Sequence, residues 1–367
     1  MKLQICVALS ILASSLSLAA QLEDADPATQ NKCAEYLKTP LPPEAEQAQQ
    51  PKSWPECNSY KRYSGIGVTV EFAAARRCAW QERLAQLAGL APRYTSASVF
   101  GGSAMLTVLY TNGDGVQKNL PLAMRCACEA ACAPAEISIR IEDIGSRFQK
   151  PGLAKKKFTF CDDITSGFME GFCAAESSEL EDLERSLALN ALAAKMTPVQ
   201  RDSFNKLVKL EQAYASAHGA GEIDISGSAR AMFEIDAEDT LRDDFAAAVQ
   251  SFEAGGLPAK SRWAYRDADA RLNSVYRKAI DQAEEHKNDY GAVQPEGIRN
   301  AERAWLKYRD AWAEFARLRY PGVASDDLLV LLTNDRTSIL DGSFCDMDAM
   351  DGPCVKKGDM WKPTPLP

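Results

Sequence analysis

The stretch Ala304-Trp305-Leu306-Lys307-Tyr308-Arg309-Asp310 decides the fold, read with Asp267-Ala268-Asp269-Ala270-Arg271-Leu272-Asn273-Ser274-Val275-Tyr276 upstream of it. Tyr265, Asp269, Leu272 and Tyr276 follow one another at steps of four, three and four. Ala301, Trp305, Tyr308 and Trp312 repeat those steps. Residues so spaced share one face of an α-helix. The Gly- and Pro-containing stretch from Tyr290 to Gly297 breaks the pattern, which predicts an antiparallel helical hairpin. Aromatic residues at helical spacing predict a packed interface between its arms.

These two segments resemble the lysozyme-inhibitor LprI-like family, secreted bacterial proteins marked by an LNxxY helix followed by a WxxYRD helix. Leu272, Asn273 and Tyr276 supply the first mark, and Trp305, Tyr308, Arg309 and Asp310 the second. A final helix, Asp326 to Leu340, holds Leu332-Thr333-Asn334-Asp335-Arg336, similar to the family's terminal LTxxR. The resemblance implies a helical module over 259–342 that binds a lysozyme or another peptidoglycan hydrolase. It names Asp269, Asn273, Tyr276, Trp305, Tyr308, Arg309 and Asp310 as motif or partner-binding residues. Arg309 and Asp310 are expected to pair with Asp269, Asn273 or Asp267 across the hairpin, which would set its register. Family members often carry one cysteine just after the RD dipeptide and another before LTxxR. This chain has Ala313 and Leu328 at about those places, so its module must rely on packing, with Trp312 as an additional anchor.

The N-terminus predicts export. Lys2 precedes an apolar run from Ile5 to Leu18, and Ser17, Ala19 and Ala20 offer small residues for cleavage, so residues 1–20 read as a signal peptide. Eleven cysteines are present, and Cys6 lies within the apolar run. The other ten, Cys33, Cys57, Cys78, Cys126, Cys128, Cys132, Cys161, Cys173, Cys345 and Cys354, are disulfide candidates in an oxidising compartment. Cys161 with Cys173, and Cys345 with Cys354, would each close a short loop. Cys126-x-Cys128-x-x-x-Cys132 is the rival metal arrangement, but it lacks a clear fourth ligand, so no metal or cofactor is expected.

The chain divides by composition. Residues 21–63 are Pro- and Gln-rich and read as an extended segment tied by Cys33 and Cys57. In 64–135, Ala75-Arg76-Arg77-Cys78-Ala79 recurs as Ala123-Met124-Arg125-Cys126-Ala127, a sign of stacked helical units. Leu106, Leu109, Tyr110, Gly113, Gly115, Val116, Asn119 and Ala123 resemble one Sel-one-like repeat: helix, glycine turn, and a second helix capped by Asn119. Residues 136–175 read as a connector carrying the Cys161/Cys173 loop. Residues 176–258 read as helical, with Thr197-Pro198 opening one helix, and as a degenerate second copy of the LprI-like module. Residues 343–367 form a Cys-containing tail.

Net charge is −9, which argues against nucleic acid or an anionic membrane as the partner and suits a cationic protein. No internal run is long and apolar enough to span a bilayer. Catalysis finds little support. His218 and His286 are the two histidines, no GxSxG or HExxH surrounds them, and Asp162-Asp163 and Asp326-Asp327 read as turn or helix-start residues. The expectation is therefore an all-α, disulfide-linked, periplasmic or secreted binding protein, not an enzyme. It would act as a lysozyme-inhibitor-like protein or, alternatively, as a periplasmic scaffold or envelope-stress protein working through the N-terminal helical repeat.

Overall fold

A computed structural model describes residues 24–343, apart from 49, 94, 151 and 153–155 and the side chain of 343. The expected signal peptide and the Cys345/Cys354 pair lie outside the described residues. Within them the chain is all-α, with no strand. No described helix is long and apolar enough to cross a membrane. The chain forms two compact units, Met1–Glu176 and Ser177–Pro367.

The first unit holds α1 (Pro27–Tyr36), α2 (Pro43–Glu46), α3 (Ser59–Ser64), α4 (Phe72–Leu87), α5 (Ser96–Phe100), α6 (Ser103–Asn112), α7 (Leu120–Glu129) and α8 (Pro134–Gln149). Among the described residues of 24–63, where an extended segment was expected, the chain forms α1, α2 and the start of α3, and Cys33 and Cys57 are both disulfide-bonded. Pro27 stands in the first turn of α1, and Asp26 caps it by accepting from the amides of Ala28 and Thr29. The glycine turn forms between α6 and α7, where Gly113 (φ +78°) and Gly115 (φ +63°) adopt left-handed backbone. A Cβ on Gly115 would meet the Phe72 Cβ at 2.6 Å. Asn119 caps α7 through the Leu122 amide at 3.0 Å. The recurring pentapeptides sit alike: Ala75, Ala79, Ala123 and Ala127 are all fully buried. This geometry is that of a packed helical pair, and a fold-level likeness does not identify a repeat family. The 136–175 stretch is more than a connector, since α8 buries Ile137, Ile141 and Ile144.

Three disulfides form: Cys33–Cys128, Cys57–Cys78 and the expected Cys161–Cys173. Cys126 and Cys132 are free thiols, contrary to the full pairing expected. Cys126 and Cys128 stand two apart on α7, so they face different directions and only one can meet Cys33. Cys132 lies beyond the end of α7, where its Sγ accepts from Arg140 at 3.1 Å. With Cys128 bonded to Cys33, the CxCxxxC set also loses a thiolate ligand.

The second unit begins within α9 (Gly167–Ala193) and continues through α10 (Pro198–Glu222), α11 (Arg230–Glu253), α12 (Tyr265–His286), α13 (Pro295–Arg319) and α14 (Ser325–Ser343). Thr197 and Gln200 form a reciprocal capping box at the start of α10. The hairpin arms α12 and α13 do touch, but each has a closer neighbour: α13 lies along α10, and α12 along α14. The α10–α13 pair is antiparallel over its full length. Gln200 reaches the Leu318 carbonyl, Lys206 meets Glu314, Tyr214 stacks on Tyr308, and Gly221 crosses Gly297. At that crossing the backbones touch, because a Cβ on Gly297 would lie 2.4 Å from the Gly221 carbonyl oxygen. Trp312, buried among Phe245, Phe252 and Phe315, fills the core beside Leu328. Packing therefore occupies the region where the resemblance would have placed a disulfide. Residues from α10 and α11 build this core together with α13 and α14.

Candidate functional site

Between α12 and α13 a groove of about 310 Å³ is lined by Asp269, Asn273, Tyr276 and Trp305, together with Arg299, Glu302 and Arg303. Four of the seven residues singled out from the sequence thus meet in one place. Leu272 and Trp305 form its buried floor, because their spacing turns them inward. Asp269 and Asn273 sit one turn apart, and the Asn273 amide donates to the Asp269 carboxylate at 3.1 Å.

Tyr308, Arg309 and Asp310 play different parts. Tyr308 stacks on Tyr214 of α10, with centroids 5.6 Å apart, and accepts a hydrogen bond from Trp312 Nε1 at 2.8 Å. Burial pushes its phenol well above the usual range. Arg309 does not pair with Asp267, Asp269 or Asn273. It donates to its neighbour Asp310 at 2.7 Å and to the Tyr265 hydroxyl at 2.9 Å, and it lies over the Trp305 ring at 5.3 Å. Arg309 stands a full turn beyond Trp305, level with Tyr265, so the tyrosine hydroxyl becomes its partner across the hairpin. Asp310 remains exposed on the outer edge of α13.

Beneath the groove lies a buried charged network that the sequence reading did not assemble. Arg336, from the LTxxR-like segment, is fully buried. It holds Glu222 in a two-bonded pair at 2.6 and 2.8 Å, donates to Glu302 at 3.0 Å, and reaches the Tyr214 hydroxyl at 3.2 Å. His218 Nδ1 stands 2.7 Å from Glu222 Oε2, an oxygen that Arg336 also bonds. Burial alone would raise the Glu222 carboxyl, but Arg336 and His218 together bring it below its ordinary value. Glu302 stays above its ordinary value because burial outweighs its contact with Arg336. Glu302 also lines the groove, so the groove wall is bolted to the buried network. His218 is a buried member of this cluster, whereas His286 is exposed beside Asp289. The four-residue spacing of His218 and Glu222 on one helix was visible in the sequence; their partner on α14 was not.

The other flagged carboxylates are structural. Asp327 stands in the first turn of α14 and accepts from the Ser261 amide at 2.8 Å. Asp162 ties Thr159 and Arg147, and burial raises Asp163 to about 6. Nothing in the groove offers a nucleophile with an adjacent base. Its mix of aromatic floor and paired polar walls suits contact with another molecule's surface.

Residues 253–340 match the family model described as lysozyme inhibitor LprI. A curated relative, an uncharacterized protein of Rhizobium meliloti (strain 1021), is 32% identical over 87 residues, covering 21% of this chain and 63% of the relative. The chain thus spans less than two thirds of that relative's length. No solved structure matches. The matched residues supply α12–α14 of the second unit, while Glu222, His218 and Tyr214, which complete the network, come from outside them.

Proposed function

We propose that the protein is an exported inhibitor or binder of a lysozyme-type peptidoglycan hydrolase, acting through the α12–α13 groove. The family match over 253–340 carries this reading, because Leu272, Asn273, Tyr276 and Trp305, which help make the resemblance, also line the groove. The disulfides fit an oxidising compartment. The net charge of −9 favours association with a cationic enzyme through complementary fields. Inhibition would follow from covering the enzyme's substrate cleft with the groove rim and the outer edge at Arg309 and Asp310, without chemistry on either partner.

The test is a turbidity assay of peptidoglycan lysis by a c-type lysozyme, with purified oxidised protein at two salt concentrations. Inhibition at micromolar protein that weakens with salt is the expected result. Asn273→Ala combined with Arg303→Glu, both exposed on the groove rim, should abolish it without lowering the melting temperature. No inhibition by protein with intact disulfides would overturn the reading for that enzyme class.

One observation favours a second reading. The first unit has an open cavity of about 530 Å³, lined in part by Arg93, Val99, Glu129, Phe168 and Met169. A scaffold that captures a partner through its helical pair would use this surface, and changes within 100–132 would then weaken partner capture.

A further inference from the structure

The negative charge of the second unit is not where the groove is. Residues 177–254 hold 15 Asp and Glu against 7 Lys and Arg, whereas residues 255–340 hold 13 against 14. The excess lies on α9 (Glu179, Glu181, Asp182, Glu184) and α11 (Glu234, Asp236, Glu238, Asp239, Asp243, Asp244). An acidic face alone is only a solvated surface. Between α9, α10 and α11, however, lies a small cavity of about 100 Å³, lined from the acidic helices by Asp182. A single water needs only about 15 Å³. Glu211 of α10 lines the cavity and is 3% exposed. Its Oε1 meets no hydrogen-bond donor among the described residues. A buried carboxylate oxygen without a donor is costly unless something completes it.

We propose that this cavity is a binding site for a primary ammonium group at the end of an unbranched alkyl chain, that is, a lysine side chain of a protein or peptide partner. Leu189, Phe204, Val208 and Phe245 give the walls apolar surface for the methylenes. Glu211, a lining residue, keeps one buried carboxylate oxygen without a donor, which suits a compact point charge. A guanidinium would call for two parallel acceptors. Arg185 and Arg242 also line the cavity, but both are already neutralised. Arg185 pairs with Asp182 at 2.8 Å, Asp239 at 2.6 Å and Asp243 at 2.5 Å, and Arg242 pairs with Glu238. The two lining guanidiniums are thus matched by four carboxylates, of which Asp182 itself lines the cavity. Asp182 and Asp243, about half-exposed or more, face arriving cations. Burial raises Glu211 to about 7, so an arriving ammonium would also stabilise its ionised form.

The site is independent of which enzyme, if any, the groove engages. It is tested by titrating the full oxidised protein, methyl-labelled at Leu and Val, with acetyl-Gly-Lys-Gly-amide and with the norleucine isostere. The lysine peptide should shift the Leu189 and Val208 methyl signals saturably, and the norleucine peptide should not. Glu211→Gln keeps the shape, and its folding is checked by circular dichroism. It should weaken lysine-peptide binding at least tenfold. Equal shifts with both peptides, or none with either, would overturn the proposal, as would undiminished binding in the variant. The methyl comparison in the unmutated protein decides the matter even if the variant misfolds. Lysozyme inhibition can persist when this test fails, so the two readings fall separately.

Discussion

Replacing Arg336 by methionine should unfasten the second unit. The side chain is fully buried and is the shared partner of Glu222, Glu302 and Tyr214. Removing one member of a buried ion pair leaves an uncompensated charge and typically costs about 3–5 kcal/mol. For a unit of this size, that corresponds to a drop in melting temperature of roughly 10 °C, taking about 2–4 °C per kcal/mol. The loss has a pH signature. In the unaltered protein the Glu222 carboxyl lies below its ordinary value, so its stabilisation is present above the unfolded glutamate value and lost as pH falls through the folded one. Without Arg336, burial would govern, lifting the Glu222 carboxyl above the unfolded value and adding a penalty that grows with pH. The gap between the two proteins should therefore be wider at pH 8 than at pH 4.5. Urea unfolding followed by circular dichroism at both pH values measures it. Adding Glu222→Leu should return at least half of the loss, because a buried pair replaced by apolar residues is often nearly neutral. A cost below about 1 kcal/mol for the single variant would refute the account of Arg336 as the keystone, given the scale expected for buried pairs. So would a double variant whose costs simply add.

Four further outcomes follow from the same geometry. Gly297→Ala places a Cβ against the Gly221 backbone, so α10 and α13 must separate, at about 1–3 kcal/mol in thermal unfolding. Glu211 and Asp335 are both raised to about 7 by burial. The folded state therefore holds protons that the unfolded chain releases, and stability should decline as pH rises from 5 to 8; Glu211→Gln and Asp335→Asn should flatten that slope in urea titrations. Removing Cys33–Cys128 by paired alanine substitution opens a loop with a sequence separation of 95 and should cost about 4 kcal/mol, read as a lower unfolding midpoint. In the native protein, Cys132 should alkylate before the fully buried Cys126, as peptide mass mapping would show.

Local patterns carried much of this molecule. Helix periodicity placed Leu272, Trp305 and Trp312 on inward faces, and Thr197, Asn119 and the glycines at 113 and 115 marked helix ends and a turn. Such features depend on residues within one or two turns of one another, so they are readable along the chain. The resemblance marks at Asn273, Tyr276 and Trp305 likewise pointed to residues that share a groove. Partner choice between distant helices was not legible. The pattern of α13 shows that it must bury aromatic residues, but either α12 or α10 could have supplied the surface. The Gly221–Gly297 crossing, more than 70 residues apart in sequence, is what lets α10 come close enough. For the same reason Arg309 found Tyr265, Cys33 found Cys128 rather than Cys126, and Arg336 found Glu222. A side chain's helical face follows from its own neighbours in sequence. The atoms it meets on that face depend on how long helices align in space, which only the tertiary structure decides.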